Sequence, residues 1–534
     1  MKKIILIIII IAVNFASCEN DDLLNKYPKT TLSPQTFWKT EADVLAGING
    51  CYSGLQSWTW LTRDYWSDLL VHTEQQSNYK IQGVVTGTWG GGDGAWSSRY
   101  NAITRTNYFL ENVATITGMN LSFINRTKAE ARFIRAFNYM LLVMDFGDVP
   151  LVKKVLTIEE ARTITRDPAS EVWSFIEAEL NDILDYLPVE YPSAERGRIT
   201  RGAALSLLAK SMLYSKQYQK AYTAAKSVID LGVYSLYPSF EDLFGYSAEG
   251  NSEVILDIQY DESLRSYDIF SQYAPIEMNL GVTCNLCLTK DLADAFRMQT
   301  TGLDINEPGS GWNPMDPYKD RDPRMKGTML IPYFSDATDC FIMWNTGKKL
   351  NPAPLSGTPD EIGVGTYRNI TGYFLKKYIN KEDLLYRTQC GTDFILTRYA
   401  EVLLIAAEAL IEQNSNLPIA RGYINEVRAR ANMPLIPETV NSQTELRSEL
   451  RHERLVELAC EGWRYYDIIR WGIGEEVVTG VIKGISYLKA DGTIETVSTS
   501  MVRNWDNSKD NLLPIPVNER IKNPNLTQNP GYIN

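Results

Sequence analysis

A chain of 534 residues, 44% of them hydrophobic and 22% charged, is long enough to bury a large core and to form more than one domain. Its 65 acidic side chains outnumber 53 basic ones, giving a net charge of −12, and no stripe of Lys and Arg runs along it, so nucleic acid is excluded as a partner. With two histidines, no HExxH, no GxSxG and no phosphate loop, the chain offers little for His-dependent nucleophilic, metal or acid–base chemistry, and no cofactor or metal is expected.

The chain opens on Lys2 and Lys3, followed by an apolar run from Ile4 to Val13 and then Asn14-Phe15-Ala16-Ser17-Cys18. A basic start, a short apolar core and small residues at the end read as an export signal. The run is too short to span a bilayer, which takes about 20 residues. The cysteine after Ala16-Ser17 makes the segment resemble a bacterial lipoprotein signal, which implies residues 1–17 as a signal peptide and acylation of Cys18. Glu19, Asp21 and Asp22 follow, and residues 18–36, with Pro28 and Pro34 as breakers, read as a polar lipidated tether.

Ser33-Pro34 is a favourable helix start, and Trp38, Val44, Leu45 and Ile48 continue a helix-like stretch. Residues 57–100 differ: Trp58, Trp60, Trp66, Trp89 and Trp96 gather there with Tyr65, Tyr79 and Tyr100, while Gly90-Gly91-Gly92 and Gly94 interrupt any helix. Aromatic rings on loops can be presented rather than packed. Helical periodicity returns over residues 126–146, through Phe133, Phe137, Met140 and Leu141, and again over 168–187.

A helix pair follows. Ala203, Leu207 and Leu213 mark one member; Ala221, Ala224 and Val228 mark the other, ending near Gly232. A similar pair recurs far downstream, with Tyr399, Leu403, Ala407 and Leu410, then Ala420, Ile424 and Val427. Each pair fills roughly the 34 residues of a tetratricopeptide repeat. Between them, residues 235–395 are irregular and rich in turn signals such as Pro308, Gly309, Gly311 and Pro314, as expected of a functional elaboration on a scaffold. The match to the repeat is partial, so the pairs are repeat-like, with ordinary helical-hairpin packing as the alternative.

Seven cysteines are too sparse for a disulfide scaffold. Cys284 and Cys287 have metal-ligand spacing, but no second pair or nearby histidine completes a zinc site. Cys340 and Cys390 could pair. Asp316, Asp320 and Asp322 could form a weak oxygen-rich calcium site.

Several segments together resemble the SusD/RagB family. Phe37-Trp38-Lys39-Thr40-Glu41-Ala42-Asp43 with Gly50-Cys51-Tyr52 is similar to its opening. Arg132 through Asp145-Phe146-Gly147-Asp148-Val149-Pro150, Asp322-Pro323-Arg324 and Arg398-Tyr399-Ala400-Glu401 resemble internal elements. The most specific blocks are Glu453-Arg454-Leu455-Val456-Glu457-Leu458 with Glu461-Gly462-Trp463-Arg464 through Trp471-Gly472, and the tail from Leu513-Pro514-Ile515-Pro516 to Asn529-Pro530-Gly531-Tyr532. The resemblance covers essentially the whole chain after the signal. It implies a helical region over 37–234 and a second region over 235–534, divided into the insert 235–395, helices over 396–472 and a tail over 473–534. It also implies an all-α fold, with tetratricopeptide-like helix pairs as a scaffold and the loop-rich irregular insert carrying the ligand-binding face. The function it implies is that of an outer-membrane, surface-exposed nutrient-binding lipoprotein, with no catalysis, that captures oligosaccharide (or peptide) for a SusC-like TonB-dependent transporter.

The charged block also has its own reading. Arg454 with Glu457, Arg464 with Asp467, and Asp467 with Arg470 are spaced to pair along helix faces, with Leu455, Leu458, Ile468 and Ile469 toward the core and Gly462 as a break between two helices. Sugars present apolar C–H faces to rings and hydroxyl edges to Asp, Asn and Arg. The binding candidates are therefore Trp58, Trp60, Trp89 and Trp96 with Asp68, Asn78 and Tyr79, and from the insert Trp312, Tyr318, Tyr333 and Trp344. A glycoside hydrolase is the competing expectation, with Asp64, Asp68, Glu74 and Asp93 as possible carboxylates. A helical-repeat adaptor for another protein is the third.

Overall fold

The computed structural model describes residues 37–55, 57–72, 95–276, 284, 286–330, 369–488 and 493–532. The principal helices are α1 (Glu41–Tyr52), α2 (Ala95–Val113), α3 (Leu121–Phe146), α4 (Ala169–Ile183), α5 (Arg201–Tyr214), α6 (Tyr218–Asp230), α7 (Tyr399–Glu412), α8 (Leu417–Arg430), α9 (Gln443–Glu457) and α10 (Arg464–Trp471). Besides shorter helices, the described residues form eight short strands: β1 (Leu70–His72), β2 (Val254–Ile258), β3 (Leu286–Leu288), β4 (Met329–Leu330), β5 (Phe374–Leu375), β6 (Phe394–Arg398), β7 (Gly480–Leu488) and β8 (Ile494–Arg503).

Local chemistry sets most helix ends. α1 starts at Glu41, and Ser33-Pro34 lies outside the described residues. Thr40 accepts from the Asp43 backbone N–H while the Asp43 carboxylate accepts from Thr40, a reciprocal capping box. Asn120 caps α3, and Gly147, at φ +71°, ends it. Ser442 and Glu445 form a second capping box on α9.

The two helix pairs predicted from sequence are α5–α6 and α7–α8. They are separated by a long stretch of chain, yet α6 packs on α7, so the pairs form one continuous stack, with α4 against α5 and α9 against α7. Small residues permit the close approach: Ala221 and Ala225 on α6 and Ala406 and Ala407 on α7 are fully buried. The insert leaves this stack and returns to it through a single neck, because β2 and β6 pair antiparallel, Val254 opposite Arg398 and Ile258 opposite Phe394.

β4 pairs with β5 inside the insert, Leu330 opposite Phe374, while the insert strand β3 pairs with β1 from the N-terminal region, His72 opposite Leu286. The Leu288 backbone N–H donates to the Tyr373 carbonyl at 3.3 Å, joining the two ribbons into one small strand assembly. β7 and β8 form a separate antiparallel hairpin near the C-terminus. Among the described residues, no helix is long and apolar enough to cross a membrane.

The charged block welds the two halves together, but by a pattern different from the one expected. Of the three predicted pairs along helix faces, only Asp467–Arg470 forms, at 2.9 Å. Arg454 instead reaches across to Asp467 at 3.0 Å, and Arg464 makes a two-pronged bond to Asp68 at 2.8 and 2.7 Å. Glu457 is shared by Arg324, Arg398 and Arg430. The break at Gly462 (φ +83°) turns α10 away from the line of α9, so side chains close in sequence point to different neighbours. Leu458 and Ile468 are buried as expected, and Leu455 and Ile469 pack partly buried against the core.

Candidate functional site

The segment Trp58–Trp66 forms a 3₁₀ helix, in which residues three apart lie above one another. That spacing places Trp60, Arg63 and Trp66 on one stripe, and the stripe faces α10. Trp60 stacks on Tyr466 (5.8 Å between ring centres, 10° between planes) and meets Trp463 edge-on at 5.1 Å. Trp66 meets Tyr465 at 5.0 Å, and Arg63 lies 4.3 Å from the Trp66 ring while bonding Asp145 at 3.0 Å.

This geometry corrects four of the expected ligand contacts. Trp60 is 3% exposed and Asp68 5% exposed, the latter consumed by Arg464. Trp96 sits in the first turn of α2 against Tyr100 and Phe146, 5% exposed. Tyr318 is 7% exposed, with its hydroxyl hydrogen-bonded to that of Tyr373 at 3.1 Å. All four are core contacts. Trp312 is half-buried and folds back on its own loop, its indole N–H donating to the Pro317 carbonyl at 3.1 Å. Asn78, Tyr79, Trp89, Tyr333 and Trp344 lie outside the described residues, as does Cys18.

Trp58 is the exception at the free end of the 3₁₀ helix. It is half-buried, and residues more than 200 positions away build a ledge around it. Tyr267 and Tyr273 each lie 5.7 Å from its ring. Tyr260 packs on Tyr267 at 4.4 Å, and its hydroxyl oxygen accepts the Trp58 backbone N–H at 3.2 Å. The exposed Arg265 guanidinium lies 5.0 Å from the Tyr260 ring centre, with no carboxylate bound to it among the described residues. The side-chain hydroxyls of Ser57 and Thr59, the neighbours of Trp58 in sequence, hydrogen-bond each other at 2.7 Å. A ring face edged by a guanidinium and hydroxyls can bind a molecule that has both an apolar face and a hydroxylated edge. Sequence reasoning missed Tyr260 and Arg265; Tyr267 and Tyr273, 4% and 6% exposed, are core rings that back Trp58. Only their clustering inside the irregular insert hinted at them.

The strand assembly bears on the remaining candidates. β1 ends at His72, directly before residues 73–94, and β4 ends at Leu330, directly before residues 331–368. β1 and β4 thus belong to one strand assembly, joined through β3 and β5.

Of the four carboxylates offered for hydrolysis, Asp64 and Asp68 are engaged in structure. Asp64 is fully buried and accepts the backbone N–H groups of Gly462 and Arg464, both at 3.0 Å. Burial pushes its acid up to about 7, against those two donors. Glu74 and Asp93 lie outside the described residues.

The cysteines and the proposed calcium ligands also have other partners. Cys284 donates weakly to the carbonyls of Tyr273 and Leu286, and Cys287 accepts from the Ile370 backbone N–H. Cys390 is buried, and Cys340 lies outside the described residues. Asp322 is bound by Arg324 at 2.7 Å, and Asp320 accepts from the Thr300 hydroxyl. Among the described residues, no three His, Cys, Asp or Glu side chains gather around a metal-sized space.

Comparison with known proteins agrees with this architecture. A family model described as "SusD family" matches residues 252–532, and one described as "Starch-binding associating with outer membrane" matches residues 24–213. The chain is 29% identical to SusD-like protein P2 of Formosa agariphila, covering 100% of both chains. It is 27% identical to the starch-binding protein SusD of Bacteroides thetaiotaomicron, over 80% of this chain and 76% of that one. A crystal structure of a SusD-like carbohydrate-binding protein from Bacteroides fragilis superposes with a TM-score of 0.81 at 27% identity, covering 92% of this chain and 100% of the other. A helical stack, a necked insert and family matches that together span most of its length make this chain a member of the SusD family.

Proposed function

We propose that this protein is a lipid-anchored, surface-exposed glycan-binding protein. It captures oligosaccharide and passes it to a SusC-like TonB-dependent transporter in the outer membrane, with no bond-breaking of its own. The observation that carries the reading is the half-buried Trp58 ledge, with an exposed guanidinium at its edge, on a SusD-family scaffold. A related protein's name specifies starch binding, which supports a carbohydrate as the ligand class here. Covering about 100 Å² of a sugar's apolar face contributes roughly 2–3 kcal/mol at about 25 cal/mol per Å² before ordering costs. A few such rings give modest affinity, which suits capture followed by release. The absence of catalysis is supported by Asp64 and Asp68, whose oxygens are taken up by backbone N–H groups and Arg464.

A glycan array probed with the soluble chain beginning after Cys18 is expected to show binding to one class of oligosaccharide and no turnover of it. Trp58→Ala should weaken that binding about tenfold. An array blank for glycans, with a peptide library bound instead, would replace the ligand class. Anchoring is tested separately: in a Gram-negative host grown with a clickable fatty acid, the full chain should take up label in the membrane fraction and Cys18→Ser should not. Equal labelling of both would remove Cys18 as the lipidation site.

A further inference from the structure

A second cleft lies on the other side of Asp393 from the Trp58 ledge. It encloses about 490 Å³, inside the range of about 300–1,000 Å³ for small-molecule sites, between the loop after α4, the end of α6 and strand β2. Asp393 joins the two places: one carboxylate oxygen accepts the Tyr260 backbone N–H at 2.9 Å and the other binds Arg196 at 2.6 Å.

The cleft contains one buried carboxylate that the fold pairs only at long range, with Arg196 at 3.8 Å. Asp257, on β2, lines it and is 7% exposed. Among the described residues, no other residue places a donor within hydrogen-bond distance of its carboxylate; Arg196 stands 3.8 Å away, beyond that limit and already held by Asp393. A carboxylate so buried costs free energy unless something bonds to it. Burial first, and then the charges of Asp393 and Glu249, push it up to about 7 against the pull of Arg196. The surroundings limit what can complete it. Glu190 and Asp257 balance Arg196 and Arg198 on the lining, which disfavours a strongly charged ligand. The rings of Tyr191 and Tyr234 also line the cleft, and both hydroxyls are tied down, to Glu130 and Thr200 respectively.

We propose that this cleft is a second saccharide site, taking one or two neutral sugar units through hydroxyl donation to Asp257 and Arg196 contact, with the tyrosine rings against the sugar faces. The proposal rests on the glycan reading of the Trp58 ledge but concerns a separate site. Two sites on one chain would let it hold a longer glycan at two points, and linkage of that kind raises apparent affinity well above either contact alone.

The test uses the soluble chain beginning after Cys18 with Ser193→Cys at the cleft rim, labelled with an environment-sensitive fluorophore. Cys340→Ser is included, and the other described cysteines are buried. The probes are maltose, laminaribiose, cellobiose and xylobiose. One of them is expected to give a saturable signal with a midpoint near 1 mM. Asp257→Ala should raise that midpoint at least about tenfold, Asp257→Asn, which keeps the volume, should raise it less, and Trp58→Ala should leave it unchanged. No saturable response to any probe, or equal midpoints in the parent and both Asp257 variants, would overturn the second site. If that occurred while the array still showed Trp58-dependent binding, the ledge would stand without the cleft. A response lost with Trp58→Ala to the same degree as with Asp257→Ala would also overturn it, because the two places would then be one site.

Discussion

Arg398→Ala is expected to be the most damaging single substitution in the scaffold, giving insoluble protein or a loss of at least about 3–5 kcal/mol of stability. Arg398 ends β6, where the insert rejoins the stack, and is fully buried. Its guanidinium binds Glu253 at 2.9 Å, Glu461 at 2.9 and 2.8 Å, the Glu457 carboxylate, and the Glu457 carbonyl at 2.6 Å. Removing it leaves three buried carboxylates short of a cation. Lys377 still reaches Glu461 at 2.8 Å, Arg324 still reaches Glu457 at 2.9 Å and Arg430 still reaches Glu457 and, at 3.0 Å, Glu253, but none of them restores the five-donor fork that ties all three together.

The loss should depend on pH in a definite direction. Burial raises the Glu457 carboxyl, yet Arg430, Arg398 and Arg324 outweigh it and hold it well below the usual carboxylate range. Asp467 is likewise raised by burial and brought down to about 2 by Arg454 and Arg470. Carboxylates depressed in the fold stabilise it fully above their unfolded pKa of about 4, and that stability disappears as the pH falls through the folded values. In Arg398→Ala the Glu457 carboxyl regains a higher pKa, so its protonation relieves part of the damage: the deficit against the parent should be smaller at pH 5 than at pH 8. The measurement is the urea midpoint at both pH values, with Lys226→Ala as a control. Lys226 makes only an exposed pair with Asp230, and its loss should cost less than about 0.5 kcal/mol. A control-sized loss in Arg398→Ala would mean that the ionic neck does not hold the insert to the stack.

The second large effect is expected at Gly462. Its φ of +83° is one that a β-branched residue adopts only under strain, about 1–3 kcal/mol. A Cβ there would stand 2.5 Å from the Trp60 backbone oxygen and 2.7 Å from its indole. Backbone cannot move aside as the tip of a flexible side chain can. Gly462→Val should therefore cost more than about 3 kcal/mol and separate the 3₁₀ helix from α10, lowering the near-ultraviolet circular dichroism of the Trp60–Trp463–Tyr466 cluster. Gly472→Ala provides the contrast. Its φ is +69°, but nothing lies within 4 Å of its Cβ position, so only about 1 kcal/mol of backbone cost is expected. Equal losses for the two would show that backbone conformation, and not the contact with Trp60, sets the cost.

The fold was legible in sequence where one element's own residues decide it. The alanine and leucine spacings of α5 to α8 follow from burial on one helical face, and Gly462 marks the break between α9 and α10 because only glycine suits that φ. Partners that lie far apart in sequence were not legible. Arg464 could not be matched with Asp68, nor Arg454 with Asp467, because nothing local says which way α10 turns after Gly462. The tryptophan-rich stretch misled for a related reason. Without helical 3.6 periodicity it reads as loop, yet the three-residue spacing of Trp60, Arg63 and Trp66 is itself a 3₁₀ stripe, and that stripe is core. Trp58 falls off the stripe, and for that reason it remains half-buried beside Tyr260.

The central claim is that aromatic faces hold a glycan without cleaving it. Isothermal titration of the array-selected oligosaccharide into the parent, Trp58→Ala and Trp89→Ala, with product analysis of each mixture, tests it most directly. Saturable heat is expected in the parent, with weaker binding in both variants and intact oligosaccharide throughout. Undiminished affinity in both variants, or shortened glycan in the parent mixture, would contradict it.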